Sequence, residues 1–265
     1  MLPSRRMNWP YEPRLYDIVT PETFGGDVGW YVQKGQECGG PVLELGAGTG
    51  RIAIPLARSG AMVHALDADQ DMLSALREKV GAEPADVQAR ISIVEGDMRA
   101  FRLKERFALV IAPFRALLHN LTEDAHLACF RCVREHLRPG GRFAFNVFHP
   151  SLQYMAQNSG AMEGVWRLGG TFKGRDGAWV VRSEANRYDT IQRRVYSHHR
   201  YEEYGPDGTL KRTFLHRLEL SYLYPADITR LLRSAGFQSV QISGGFDGRP
   251  FERDTDELVV EAGCD

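Results

Sequence analysis

The most informative segment of this 265-residue chain reads Val42-Leu-Glu-Leu-Gly-Ala-Gly-Thr-Gly50. Its first half is an apolar run, which is typical of a buried parallel strand. Gly46, Gly48 and Gly50 then follow at every second position, where the absence of a Cβ lets the backbone turn tightly and approach a ligand closely. Helix-forming sequence begins directly afterwards, so the N–H groups at its start point toward the same place. The segment therefore predicts a strand, a glycine turn and a helix that together bind a nucleotide-like cofactor.

The spacing of the glycines indicates which kind of cofactor the turn suits. A dinucleotide-binding turn follows the pattern G-x-G-x-x-G, which would place its third glycine where this chain has Arg51. Here the third glycine comes one position earlier, and an acidic residue, Glu44, precedes the first glycine. The order Glu-x-Gly-x-Gly-x-Gly resembles motif I of the class I S-adenosylmethionine (SAM)-dependent methyltransferases.

The resemblance continues downstream in the order that this family follows. A second apolar strand ends in Ala65-Leu-Asp-Ala-Asp69, and a third ends in Val94-Glu-Gly-Asp-Met98. Phe107-Ala-Leu-Val-Ile-Ala-Pro113 and Leu137-Arg-Pro-Gly-Gly141 come next. Five elements in order are far more specific than a glycine turn alone. The resemblance implies SAM as the cofactor, S-adenosylhomocysteine (SAH) as the product, and an α/β fold with a doubly wound, mostly parallel, seven-stranded sheet.

Periodicity along the chain predicts the same organisation. Core strands are expected near 42–46, 62–67, 91–95, 107–112, 142–148, 238–243 and 257–262. Helices are expected near 12–19, 24–35, 50–59, 70–80, 123–137 and 225–235. Alternating strands and helices imply a parallel sheet covered on both faces. We predict an N-terminal helical lid at 1–40, a SAM-binding core at 41–150, an antiparallel β insertion at 163–224 and a C-terminal helix with two strands at 225–265.

The resemblance implies cofactor contacts at the ends of the strands. Asp67 would accept hydrogen bonds from both ribose hydroxyls, as a carboxylate can. Asp97 and Met98 would meet the adenine ring, Met72 would pack on it, and Glu44 would help to order the glycine turn. Helix capping for the two aspartates and core packing for Met72 stay open as alternatives. The other predicted cofactor contacts are Tyr16, Trp30, Gly46, Ala47, Gly48, Ala68 and Ala112.

Substrate contacts are predicted where the fourth and fifth strands end, because open parallel sheets bind ligands at that edge. Pro113, Phe114 and His119 follow the fourth strand, and His149 follows the fifth. His119 is a candidate general base or positioning group, with a structural histidine as the alternative. The pattern Asn/Asp-Pro-Pro-Tyr is absent from the fourth-strand end, which argues against the methyltransferases of nucleobase and amide nitrogens that carry it.

Aromatic residues in the N-terminal segment suit a lid over the site. Tyr11, Tyr16 and Trp30 would close over the cofactor and exclude water, with Tyr16 as a second catalytic candidate and Tyr11 facing the substrate. The alternative is that these residues simply cover the edge of the sheet. The β insertion resembles that of small-molecule N-methyltransferases, in which it roofs the substrate pocket and often makes a dimer contact, so a homodimer through the insertion is expected.

Composition limits the remaining partners. A net charge of −1 gives no electrostatic reason to expect nucleic acid or a membrane surface. No apolar run reaches the roughly 18 residues of a membrane helix, and the N-terminus lacks the apolar segment of a secretory signal. A cytoplasmic protein is therefore expected. No metal site is expected either, because methyl transfer from a sulfonium needs alignment of the reactants rather than a metal.

We predict a SAM-dependent methyltransferase with a small-molecule acceptor, and we favour an amine nitrogen over a hydroxyl oxygen. A SAM-binding sensor, or an inactive partner subunit without turnover, is the non-enzymatic alternative. A nicotinamide-dependent oxidoreductase is the alternative enzyme, and the spacing of the glycines speaks against it.

Overall fold

A computed structural model describes residues 11–20, 24–174 and 177–263. In chain order the strands are β1 (Val42–Leu45), β2 (Val63–Asp67), β3 (Ile91–Glu95), β4 (Phe107–Ala112), β5 (Leu137–Phe148), β6 (Arg167–Lys173), β7 (Trp179–Asp189), β8 (Arg194–Tyr204), β9 (Leu210–Ser221), β10 (Ser239–Ser243) and β11 (Glu257–Gly263). The helices are α1 (Pro13–Val19), α2 (Asp27–Cys38), α3 (Ala53–Arg58), α4 (Gln70–Gly81), α5 (Ala85–Gln88), α6 (Glu123–His136), α7 (Leu152–Gln157) and α8 (Pro225–Ser234), with 3-10 helices at Ala116–His119 and Gly160–Met162.

These elements divide into two units. One contains residues 24–152 and 221–263, and the other contains residues 11–20 and 153–220. None of the helices in the described part of the chain is long and apolar enough to cross a membrane.

The first unit is built on a seven-stranded sheet with the order β10-β11-β5-β4-β1-β2-β3. Strands β5, β4, β1, β2 and β3 run parallel, and β11 is antiparallel to both of its neighbours. The predicted mostly parallel, seven-stranded sheet is confirmed. The chain leaves β1 toward β2 on one side, and β4 lies on the other side, so the strand order reverses between β1 and β4. Open α/β sheets bind their ligands at such a switch point.

The core of this unit forms because the central strands are apolar on both faces. All four residues of β1 and all six of β4 are buried, as expected for parallel strands covered by helices. Helix α2 packs closely on α3, since a Cβ on Gly35 would lie 2.7 Å from a methyl carbon of Leu56. Helix α4 begins where the side chain of Asp69 accepts hydrogen bonds from the N–H groups of Asp71 and Met72.

The predicted core elements match the structure to within one residue at each end, except for three elements. Helix α2 starts and ends three residues later than predicted, and its last turn closes on Gly39, which has a φ of 55°. Helix α3 starts at Ala53 because the residues before it form the glycine turn. Strand β5 starts at Leu137 rather than 142, with a register shift against β4 that takes up the segment 138–141.

The second unit contains a four-stranded sheet with the order β6-β7-β8-β9, the antiparallel β insertion that the sequence predicts. Strands β6, β7 and β8 pair antiparallel, and β8 turns into β9 over Gly205–Gly208. Helix α1 buries Leu15 and Val19 against Val180 and Tyr201 of the sheet.

Candidate functional site

The glycine turn follows β1 at the switch point of the seven-stranded sheet. Gly46 and Gly48 have φ values of 70° and 55°, in the left-handed region that favours glycine. A Cβ on Gly46 would lie 2.7 Å from the Cβ of Ala116, and a Cβ on Gly48 would lie 3.3 Å from the Cε of Met72. Ala47 is buried between the two glycines. Side chains larger than hydrogen would therefore fill the space beside the turn.

Asp67 ties this turn to the end of β2. Its carboxylate accepts a hydrogen bond from the Gly48 N–H at 2.7 Å and another from the Asp69 N–H at 2.9 Å. Burial raises the pKa of Asp67, and these N–H groups act in the opposite direction. A carboxylate has about four acceptor positions, so Asp67 keeps acceptor capacity beside the turn. The neighbouring Asp69, not Asp67, caps α4.

The predicted adenine contacts lie on either side of the same turn. Met72 is buried in the first turn of α4, and its Cε would lie 3.3 Å from a Cβ on Gly48. Met98, half-buried after β3, has its Cε 3.9 Å from where a Cβ on Gly46 would lie. Asp97 instead holds Arg99 in a bidentate ion pair with N–O distances of 2.5 to 3.0 Å, which lowers the pKa of Asp97. Ala68 is exposed directly after Asp67. The adenine role of Asp97 remains a prediction.

Glu44 and Arg51 mark the inner side of the glycine turn. Glu44 is only 2% exposed, and its Oε2 has no hydrogen-bond partner among the described residues. Burial raises the pKa of Glu44, which the nearby Arg51 partly offsets. Arg51 makes a bidentate ion pair with the fully buried Asp27 of α2, with N–O distances of 2.6 and 3.1 Å. The guanidinium also lies 4.8 Å from the ring centre of Phe114. The sequence did not indicate Asp27.

The segment after β4 makes a tight turn at the same edge of the sheet. Ala112 and Pro113 are buried, and the next two residues, Phe114 and Arg115, both have left-handed φ values. The N–H of Phe114 donates to Oδ1 of Asn146 on β5 at 2.8 Å. Three residues that contact this turn or its neighbours, Tyr31, Asn146 and Glu257, were not predicted. Asn146 left one signal in the sequence, since it is a lone polar residue in the apolar run of β5.

The two candidate histidines also lie at the carboxyl edge. His119 ends the 3-10 helix after the β4 turn, where its surface is accessible to solvent, yet the surrounding protein desolvates the imidazole and lowers the pKa of His119 to about 4. His149 follows β5, where Nδ1 lies 3.1 Å from the carbonyl oxygen of Asp254 and the ring lies 5.0 Å from Phe251. The carbonyl can only accept, so this nitrogen of His149 is the donor. Both substrate roles remain predictions.

The aromatic residues predicted to form a lid occupy both units. Trp30 lies on α2, with ring centres 5.0 Å from Tyr31 and 5.7 Å from Phe246. Tyr11 and Tyr16 belong to the other unit, where their ring centres lie 6.2 Å apart. The contacts of Trp30 are thus with other aromatic residues of the core, and the lid remains a prediction.

Known proteins resemble this chain in both sequence and fold. A family model described as a methyltransferase domain matches residues 42–141. The structure of the CcbJ methyltransferase from Streptomyces caelestis is 30% identical, with a TM-score of 0.74, and the match covers 93% of this chain and 99% of that one. The chain belongs to the class I SAM-dependent methyltransferases. The cofactor of this methyltransferase is SAM and its product is SAH, as predicted, which decides against a nicotinamide-dependent oxidoreductase.

Two further relatives of this methyltransferase carry more detailed names. It is 26% identical over 259 residues to the cypemycin N-terminal methyltransferase of Streptomyces sp, a match that covers 94% of this chain and 97% of the relative. It is 28% identical to the glycopeptide N-methyltransferase MtfA, whose structure was determined in complex with SAM. That match has a TM-score of 0.58 and covers 91% of this chain and 94% of the other.

Proposed function

We propose that this methyltransferase transfers the methyl group of SAM to an amine nitrogen of a small molecule. One observation carries the choice of nitrogen. The similarity to the cypemycin N-terminal methyltransferase runs through 94% of the chain, so it includes the β insertion as well as the shared core. The match to the glycopeptide N-methyltransferase MtfA is similarly complete. These two relatives are named for methylation at nitrogen.

The residues around the glycine turn fit the cofactor. The turn cannot hold a Cβ at Gly46 without displacing Ala116, Asp67 keeps acceptor capacity, and Glu44 has a buried oxygen without a partner in the described chain. When bound, SAM supplies a methyl group already activated by the sulfonium charge. We propose that Asp67 binds the ribose hydroxyls and that Met72 and Met98 contact the adenine ring. The unpartnered oxygen of Glu44 would accept a hydrogen bond from a donor group of the cofactor.

The acceptor side needs alignment and a place for one proton. An amine attacks only as the neutral base, so a proton must leave before or after the methyl group arrives. Ala112 and Pro113 are buried at the end of β4, beside the place where we propose that the acceptor binds. We propose that His119, exposed at the same edge, accepts the proton, and that Phe114 and His149 contact the acceptor.

Paired acceptors test the choice of nitrogen directly. 2-Phenylethylamine and 2-phenylethanol differ only in an amine and a hydroxyl and carry no second acceptor group, and further pairs of this kind extend the panel to amino sugars and peptide N-termini. We expect SAH formation and a monomethylated product with the amine of a pair and not with its alcohol. Methylation of alcohols alone would refute the nitrogen assignment. SAH binding without turnover of any acceptor would instead support a sensor or an inactive subunit.

Single substitutions test the assigned roles. His119→Gln should lower kcat about 100-fold, the usual contribution of a general base, and the loss should shrink at high pH, where the amine is already neutral. Tyr16→Phe tests the predicted lid through kcat in the same assay. We also propose a homodimer through the β insertion, whose Trp166, Leu168 and Trp179 are exposed. Sedimentation of the wild type and of Leu168→Glu tests this contact.

A further inference from the structure

The turn after β4 has an uncommon backbone conformation. Phe114 and Arg115 are consecutive, neither is glycine, and their φ values are 49° and 68°. L-residues rarely adopt this region, and then usually singly. Such conformations persist only where surrounding contacts enforce them, and they concentrate at functional sites. Contacts from neighbouring elements must therefore hold this turn in place.

Asn146 supplies most of these contacts. Its Oδ1 accepts hydrogen bonds from the Phe114 N–H at 2.8 Å and from the Tyr31 hydroxyl at 2.9 Å. Its backbone oxygen accepts the Arg115 N–H at 3.2 Å. Its Nδ2 donates to Oε1 of Glu257 at 2.8 Å. Asn146 and Tyr31 are both fully buried, so each of these bonds is shielded from water.

Glu257 grips the other end of the turn. Its two carboxylate oxygens accept from Nε and Nη2 of Arg115 at 3.1 and 2.7 Å, a bidentate arrangement that fixes the guanidinium. Glu257 can do this because β11 runs antiparallel beside β5 and places it opposite Phe148. We call Tyr31, Arg115, Asn146 and Glu257 the turn clamp. It joins α2, the β4 turn, β5 and β11.

The turn clamp lies on the acceptor side of the site. The clamped residues directly follow Pro113 at the carboxyl end of β4, and the ring of Phe114 stacks on Arg51 beside the glycine turn. The glycine turn has its own anchors, namely the Gly48 N–H to Asp67 and two backbone bonds to Leu66. Loss of the clamp would therefore move the end of β4 while the cofactor anchors stay in place.

We propose that Asn146 is a positioning residue for methyl transfer, which holds the β4 turn in the shape that aligns the acceptor. This inference rests on the proposed function, because that function places the acceptor at the end of β4. Asn146 is fully buried and bonds to the backbone of the turn, so it would act through Phe114 and Arg115. Its loss should lower kcat at least tenfold, because small displacements of aligned groups slow a reaction strongly, while the SAH dissociation constant changes less than threefold.

Three variants separate positioning from folding. Asn146→Leu removes all side-chain hydrogen bonds at similar volume. Asn146→Asp keeps the Oδ1 acceptor but replaces the Nδ2 group, which donates to Glu257, with a carboxylate oxygen. The double variant Asn146→Asp/Glu257→Gln restores a donor–acceptor pair with its direction reversed. Val147→Ala is the matched control, because Val147 is the next residue of β5 and is equally buried, so it destabilises the same strand without touching the clamp.

The Asn146→Asp variant has a diagnostic pH profile. The groups that face this side chain are Tyr31 from α2, Arg115 from the turn and Glu257 from β11, with Asp27, Glu44 and Arg51 acting on Tyr31. Protonation of the new carboxyl pair restores a donor to Glu257. The kcat of Asn146→Asp relative to the wild type should therefore rise as the pH falls. The kcat of the double variant should be at least tenfold higher than that of Asn146→Asp. Relative to the wild type, it should not rise as the pH falls.

The assay uses whichever acceptor the wild type methylates, so a failure of the amine proposal leaves this inference testable. SAH binding by calorimetry and hydrogen exchange at the Phe114 and Arg115 amides accompany the kinetics, and faster exchange is expected in Asn146→Leu. Equal kcat losses in Asn146→Leu and Val147→Ala would overturn the inference, as would a loss of SAH affinity that accounts for the activity change. If Asn146→Leu does not fold, an unchanged kcat in Asn146→Asp across the pH range would overturn it.

Discussion

Replacing Asp67 with Asn tests the ribose assignment with little change of shape. In the free protein, each carboxylate oxygen accepts one backbone N–H, from Gly48 and from Asp69. Asn offers one acceptor, so its NH₂ group must face one of these donors, which should lower the free energy of unfolding by about 1–3 kcal/mol. In the complex it can accept from only one ribose hydroxyl. Loss of one charge-assisted hydrogen bond, about 1.5–3 kcal/mol, predicts SAH binding weaker by about 10- to 150-fold.

Calorimetric titration with SAH, alongside urea unfolding, measures both effects of the Asp67→Asn change. Asp71→Asn makes the same change of charge at an exposed residue of α4 whose carboxylate makes no contact in the described chain, so it should leave SAH affinity unchanged. Because burial raises the pKa of Asp67, acidification should weaken SAH binding by the wild type, and Asp67→Asn should remove that dependence. An SAH affinity of Asp67→Asn within threefold of the wild type would refute the ribose role.

Three further predictions concern stability and the glycine turn. Burial lowers the pKa of His126 to about 4, so the native state binds fewer protons than the unfolded state below about pH 6.5. Acidification to pH 4 should therefore cost about 3 kcal/mol of unfolding free energy. In urea unfolding, His126→Gln should reduce the dependence of this free energy on pH between pH 7 and 4.5. An equal pH dependence in the wild type and the variant would contradict this cause. Asp27→Ala leaves the Arg51 charge buried without its partner and should cost about 3–5 kcal/mol in urea unfolding, against about 0–1 kcal/mol for Arg58→Ala, which breaks an exposed pair. Gly48→Ala forces a Cβ at a φ of 55° and should cost about 1–2 kcal/mol of stability and weaken SAH binding in calorimetry; wild-type values for both would show that the turn tolerates a side chain.

Much of the cofactor half of the site was predictable because its signals are short-range. The glycine turn, Asp67 and the two methionines each follow a strand that its own apolar run predicts. Parallel strands place their carboxyl ends at one edge, so residues found separately in the sequence had to converge. The mostly parallel, seven-stranded sheet then followed from the family resemblance and was confirmed in the structure.

Other contacts near the site could not be predicted from residue type and position. Arg51 directly follows the glycine turn, and it pairs with Asp27, twenty-four positions earlier. Asp97 is engaged by Arg99, which the motif does not reveal. Trp30 packs on Phe246 from the loop after β10. For Arg51 and Trp30 the partner is set by which helix or loop packs above the strand end, and no local pattern encodes that packing.

Local sequence was sufficient for the strands, the glycine turn and the antiparallel insertion, because backbone conformation and apolar periodicity depend on residues a few positions apart. The family resemblance added the identity of the cofactor. The turn clamp could not be predicted from local sequence, because its residues lie far apart in the chain. Tyr31 and Asn146 are 115 positions apart, and Asn146 and Glu257 are 111 positions apart. They meet only because β11 inserts antiparallel beside β5 and α2 packs over the same strand end. The left-handed pair at Phe114 and Arg115 depends on that meeting, since neither residue type favours the conformation, and buried hydrogen bonds from distant strands hold it.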